Sequence, residues 1–252
     1  MRSSLKLLAA ATVFLVSSPV EAVVTENPSV TNNPSVANPS VAKSVISKEV
    51  KIAQVEGKKQ RRDEALRLNQ LGLQQLDRGE YREALNNFEQ ALVIFREIGE
   101  RKLEGIILNN IGLAYSNLGE YPKALDYYQQ ANRIHKQVVN KPMEGTTLNN
   151  IGSVYKKLGE YEQALDYYQQ ANRIHKQVSN KSGEASTLNN IGEVYRSLGE
   201  YTKALDYYQQ VLAIDKQVSD KAGEGITLNN IGLVYDSLGE YEQALDYYQQ
   251  AL

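Results

Sequence analysis

Leu108-Asn109-Asn110-Ile111-Gly112-Leu113-Ala114-Tyr115-Ser116-Asn117-Leu118-Gly119-Glu120-Tyr121-Pro122-Lys123-Ala124-Leu125-Asp126-Tyr127-Tyr128-Gln129-Gln130-Ala131 is the stretch that decides the fold. Leu108, Ile111, Gly112 and Tyr115 fall at i, i+3, i+4 and i+7, one face of a helix. Gly119 follows as a left-handed helix stop. Pro122 then stands where the first turn of a second helix is expected, the one helical place that suits proline. Ala124, Tyr128 and Ala131 recur at i, i+4 and i+7 and mark the inner face of that second helix. The stretch therefore reads as an antiparallel helical hairpin, followed by a short polar link, Asn140-Lys141-Pro142.

The hairpin recurs. Gly72, Gly112, Gly152, Gly192 and Gly232 are spaced 40 apart, as are Gly79, Gly119, Gly159, Gly199 and Gly239. Segments 141–180 and 181–220 share 26 of 40 residues. A fixed period of this length marks a stacked solenoid, in which each unit buries its apolar face against its neighbours. Gly112 and its equivalents sit inside a helix, where each costs about 1 kcal/mol relative to alanine. Close approach of the two helices offsets that cost, with Ala124 as the expected small partner.

The pattern Leu108…Ile111-Gly112…Tyr115…Gly119…Tyr121…Ala124…Tyr128…Ala131 resembles the tetratricopeptide repeat. It recurs at Leu148…Ala171, Leu188…Val211 and Leu228…Ala251, with a looser copy at Leu68…Ala91. The family's aromatic near the start of the first helix is Leu here, and its proline after the second helix is absent. The 40-residue unit, against the family's usual 34, is similar to that of kinesin light chains and of large bacterial signalling proteins. The resemblance implies an all-α, right-handed superhelical solenoid of five hairpins over 61–252, at about 65–104, 105–144, 145–184, 185–224 and 225–252, the last incomplete.

Composition excludes most chemistry. The 252 residues contain no Cys and two His, so disulfides, thiolate metal sites and a cysteine nucleophile are out. With 28 Lys and Arg against 30 Asp and Glu, the chain lacks the basic excess that phosphate binding needs, and nucleic acid is not an expected partner. His135 and His175 occupy equivalent places one repeat apart with no converging carboxylates in the sequence, so no metal and no other cofactor is expected. No phosphate loop, nucleophile elbow or metalloprotease helix is present, and the chain reads as a non-enzyme. All 17 Tyr lie in the repeats at packing positions; Tyr127, Tyr167, Tyr207 and Tyr247 are expected to wedge against the neighbouring unit. Recurrent Asp and Glu such as Glu120 and Asp126 read as solvated helix surface.

The N-terminus reads as an export signal over 1–22: Arg2 and Lys6, an apolar run from Leu7 to Val16, and a Val20-Glu21-Ala22 cleavage site. The run is too short to span a bilayer, so the expectation is an exported bacterial protein without stable membrane insertion. Three N-P-S-V copies, Asn27–Val30, Asn33–Val36 and Asn38–Val41, give an extended tether over 23–60. At the other end, the last hairpin has no polar capping helix after it, which leaves Tyr247 and Leu252 exposed. Self-association through that end, or a role as the sensing part of a larger signalling enzyme such as a caspase-like (CHAT) protease, are the alternatives to a binding scaffold.

The candidate binding residues lie on the first helix of each hairpin. By the resemblance this helix lines a concave groove, into which the pairs Asn109-Asn110, Asn149-Asn150, Asn189-Asn190 and Asn229-Asn230 point. Each amide offers two donor and two acceptor positions, suited either to the backbone of an extended peptide or to bonds between adjacent first helices. In related long-unit arrays the second Asn contacts peptide. One turn on are Leu113, Ser153, Glu193 and Leu233; beyond them Lys156, Lys157 and Arg196 make the middle of the groove basic, suiting a peptide with an apolar stretch followed by an acidic one. The carboxylate-clamp positions of chaperone-binding members hold Asn69, Leu73, Thr146 and Asn150 instead, so no such clamp is expected.

Overall fold

The computed structural model describes residues 39–251, with side chains from Val50 onward. The leader at 1–22 and the first two N-P-S-V copies lie outside the described residues. The hairpins lie in one compact unit, Lys48–Leu252. Among the described residues ten helices follow one another: α1 (Pro39–Asp77), α2 (Tyr81–Glu97), α3 (Arg101–Asn117), α4 (Tyr121–Gln137), α5 (Lys141–Leu158), α6 (Tyr161–Gln177), α7 (Lys181–Ser197), α8 (Tyr201–Val218), α9 (Lys221–Ser237) and α10 (Tyr241–Gln250). They are stacked hairpins, each packing on the next, and no strand occurs among the described residues. None of the described helices is long and apolar enough to cross a membrane.

Two boundaries differ from expectation. α1 begins at Pro39, so residues 39–60, expected as extended tether, are helical. Proline is harmless in a first turn, and no other proline follows before Pro122, so nothing interrupts the helix. Lys141 and Pro142, expected in the link, already belong to α5, with Pro142 in its first turn.

The turns explain the strict period. Gly79, Gly119, Gly159, Gly199 and Gly239 have φ between 75° and 79°, the left-handed conformation that closes the first helix of each hairpin. The amide of Glu120 then donates to the Tyr115 carbonyl at 2.9 Å, a six-residue closure repeated at Glu160, Glu200 and Glu240. Second helices close the same way, but less comfortably. Gly99 is left-handed after α2, whereas Val139, Ser179 and Ser219 take φ of 53° to 58° after α4, α6 and α8. For a β-branched residue this costs about 1–2 kcal/mol. Val139 is 73% exposed, so little packing is lost with it. Val139→Gly should therefore raise stability by about 1 kcal/mol; a lowered urea midpoint would contradict this.

The close helix approach at Gly112 is present, and the atoms nearest to it belong to the Tyr128 ring; the equivalent of Ala124 also lies close at Gly152, where the Ala164 carbonyl is 3.2 Å from an added Cβ. A Cβ on Gly112 would lie 2.7 Å from the Tyr128 ring, on Gly152 2.8 Å from Tyr168, and on Gly192 2.7 Å from Tyr208. The glycine makes room for a whole aromatic ring. Between hairpins, Ala124 and Tyr128 pack on Ile151 and Val154, and the same cluster recurs one period on with Ala164, Tyr168, Ile191 and Val194. Tyr127 and its equivalents find their stacking partner inside their own hairpin: Tyr115–Tyr127 at 5.4 Å and Tyr155–Tyr167 at 5.4 Å between ring centroids. Not all carboxylates are surface groups. Glu104, Glu144 and Glu184 are buried, held by Arg96 and Arg101, by Lys141, and by Lys181 respectively.

Candidate functional site

The first helices α1, α3, α5, α7 and α9 stack side by side, so residues 40 apart recur along one face. Burying Leu148, Ile151, Gly152 and Val154 on the inner side of α5 turns Thr146, Asn149, Asn150, Ser153 and Lys157 outward to that face. Ile106, Leu113, Ser153, Glu193 and Leu233 are half-buried there, and Ile226 is 47% exposed.

The asparagines form a ladder between helices. Asn110 Nδ2 donates to Asn69 Oδ1 at 2.9 Å, Asn150 to Asn109 at 3.2 Å, Asn190 to Asn149 at 3.0 Å and Asn230 to Asn189 at 2.8 Å. The second Asn of each hairpin thus grips the first Asn of the hairpin before it. The register is 41 residues, one more than the repeat, which is why two adjacent asparagines are needed. Asn109 Oδ1 also accepts from Thr147 Oγ1 at 3.1 Å, and Asn189 Nδ2 donates to Glu193 Oε1 at 3.3 Å. The ladder uses one polar atom of each amide. The second Asn keeps its carbonyl oxygen and the first keeps its amino group, apart from the Asn189 bond to Glu193. Asn109 and Asn110 are buried, Asn149, Asn150, Asn189, Asn190 and Asn230 half-buried, and Asn229 exposed. Asn190→Ala would leave the Asn149 carbonyl without its rung, and should lower stability by about 1–2 kcal/mol; an unmoved urea midpoint would contradict the ladder.

The basic residues do not gather into one patch. Lys156 is ion-paired with Glu193 of the next hairpin, so two expected site residues neutralise each other. Lys157 reaches the other way, to Ser116 Oγ at 3.1 Å, with its ammonium 6.0 Å from the Tyr121 ring centroid. Partial burial of its ammonium, and then the neighbouring charge of Lys156, lower its pKa, although the residue as a whole is exposed. Arg196 has no carboxylate within ion-pair distance among the described residues. Ser116, Tyr121 and Thr147 belong to this surroundings, and nothing in a single repeat marks them; they emerge when the units are laid side by side with the 41-residue offset. His135 and His175 are buried between hairpins, away from this face.

The comparisons agree with this architecture. Among curated proteins, none matches the chain. Its fold is similar to BtubC (BKLC) from P. vanneervenii, at 23% identity over 79% of this chain and 89% of that one, with TM-score 0.64. It is also similar to a kinesin light chain-like protein of nearly identical repeats from Podospora anserina, at 15% identity over 73% and 91% of the two chains, TM-score 0.60. A third similar structure is the Rap conjugation gene regulator of plasmid pLS20 in complex with the Phr* peptide: 18% identity, 71% of this chain, 50% of that chain, TM-score 0.63. The tetratricopeptide repeat family matches residues 63–137, 103–177, 143–217 and 183–252, overlapping windows that together cover the whole array. With that match, the 40-residue hairpin and its glycine-capped turns, the chain belongs to the tetratricopeptide repeat family.

Proposed function

We propose that the array is a non-enzymatic protein-interaction scaffold that holds an extended peptide along the face of its first helices, and that it works outside the cytosol, as the leader at 1–22 implies. The observation that carries the reading is the half-used ladder: between Asn149 and Asn230 the half-buried and exposed amides keep donors and acceptors that its rungs do not use. Such a row suits a peptide backbone whatever its side chains. At about 0.5–1.5 kcal/mol per bond, less the entropy of association, the amides alone give weak binding, so side-chain pockets must select the partner. Ile106 with Leu113, and Ile226 with Leu233, offer apolar contact toward either end, and Lys157 a cation between them. The fold shared with the pLS20 regulator, whose structure holds the Phr* peptide, supports the reading.

Panning random peptides displayed on phage against the full chain tests it. Enriched sequences should place an acidic residue between apolar ones, and a synthetic copy should bind about tenfold more weakly, ~1.4 kcal/mol, after Lys157→Glu. No enrichment, or binding indifferent to Lys157→Glu, would reject it.

A further inference from the structure

The joint between α6 and α7 contains a three-part relay. His175 is 1% exposed near the end of α6. Its Nδ1 lies 3.2 Å from Nδ2 of Asn180. The other end of the same amide, Oδ1, accepts the Gly183 amide at 3.0 Å and so caps the first turn of α7. Both bonds hold only while Nδ1 accepts, which requires a neutral imidazole carrying its proton on Nε2. The ring sits close against both first helices, as the two glycines allow: a Cβ on Gly183 would lie 2.5 Å from His175 Nδ1, and one on Gly145 2.8 Å from Cε1.

A second proton on His175 breaks this arrangement. Nδ1–H would then point at Nδ2–H, donor against donor. Turning the Asn180 amide over would satisfy the imidazolium, but would set Nδ2 against the Gly183 amide and remove the cap. The cap and the charged imidazole exclude each other. We propose that the His175–Asn180–Gly183 relay makes the start of α7 pH-sensitive, uncapping the helix that carries Asn189, Asn190, Glu193 and Arg196 when His175 takes up a proton.

The neighbouring charges allow this. On α7, Glu184 faces His175 and favours its charged form, but is already engaged by Lys181 at 2.9 Å and Lys176 at 3.8 Å. On α5, Glu144, next to Gly145, is held by Lys141 at 2.7 Å. Burial outweighs Glu184 and keeps His175 below its ordinary value of 6.5, so the switch works on the acid side of that value. The sibling joints differ in the parts that matter. Asn140, at the equivalent place before α5, makes no side-chain cap bond, and neither nitrogen of His135 is hydrogen-bonded to it. Before α9, Asp220 caps Gly223 at 2.9 Å, beside Asp215 rather than a histidine.

The chain has only two His, so both imidazoles can be followed by NMR in the intact protein. As pH falls through the His175 titration, hydrogen-exchange protection at Gly183, corrected for intrinsic rate, should drop about fivefold, the factor for loss of one cap. Protection at Gly223, capped by the Asp220 carboxylate beside Asp215, should not follow the His175 titration. In Asn180→Asp, one carboxylate oxygen can cap Gly183 while the other accepts from the imidazolium. His175 should then titrate at higher pH, and Gly183 should stay protected. His175→Gln supplies a non-titrating side chain at the same place and should flatten the response at Gly183. Protection at Gly183 that does not follow the His175 titration, or that falls equally in His175→Gln, would overturn the proposal.

Discussion

Replacing Tyr168 by alanine should lower the stability of the array by about 3–5 kcal/mol, the range for losing a large aromatic side chain from a core. The ring is fully buried and belongs to two contacts at once. It fills the space left by Gly152 within its own hairpin, and it forms the joint with Ile191 and Val194 of the next. Alanine would open a cavity between two rigid helices, one flanked by backbone on the glycine side, so collapse can recover little. The hydroxyl is dispensable by comparison. Phe88 fills the same place in the first hairpin, against Gly72, and is equally buried. Tyr168→Phe should therefore leave the urea midpoint within about 0.5 kcal/mol of the unaltered chain. A small loss in Tyr168→Ala, or a large one in Tyr168→Phe, would show that the ring is not the pin of the joint.

Much of this fold was legible because repetition multiplies weak signals. A glycine at a helix end is an ambiguous mark by itself, but Gly119 and its equivalents at one register fix the hairpin turn, and their left-handed φ follows. The same repetition hid other things. Gly112 announces a close approach, yet periodicity cannot tell whether Ala124 or Tyr128 fills it, since both lie on the inner face of α4. The Asn pair was recognised as a candidate, but the bond from Asn150 to Asn109 depends on the stagger of adjacent helices, a property of stacking rather than of any one unit. Lys156 and Glu193 are 37 residues apart, off the repeat register, so counting charges on one face read them as separate features when they form a pair. The start of α1 is hidden for a simpler reason: the N-P-S-V copies extend the expected tether too far, although no proline lies between Pro39 and Pro122.

Gly152→Ala should destabilise the array by about 1–3 kcal/mol, the cost of overpacking a tight core, although alanine is the better helix residue by about 1 kcal/mol. The added Cβ would sit 2.8 Å from Cδ1 and Cε1 of Tyr168 and 3.2 Å from the Ala164 carbonyl oxygen. Neither neighbour can give way cheaply: the ring is wedged between two hairpins, and the carbonyl is part of α6. Gly57, also inside a helix, would place its Cβ in open space, so Gly57→Ala should show the helix gain alone, up to about 1 kcal/mol of stabilisation. The combination with Tyr168→Ala separates crowding from any other effect of the glycine. Once the ring is gone, the Gly152 methyl group enters a void instead of a clash. Its effect should change sign and return part of the lost stability, giving a coupling between the two sites of at least about 1 kcal/mol. Additive losses would mean that Gly152 and Tyr168 do not meet, and that the five mid-helix glycines are kept for some reason other than the ring beside them.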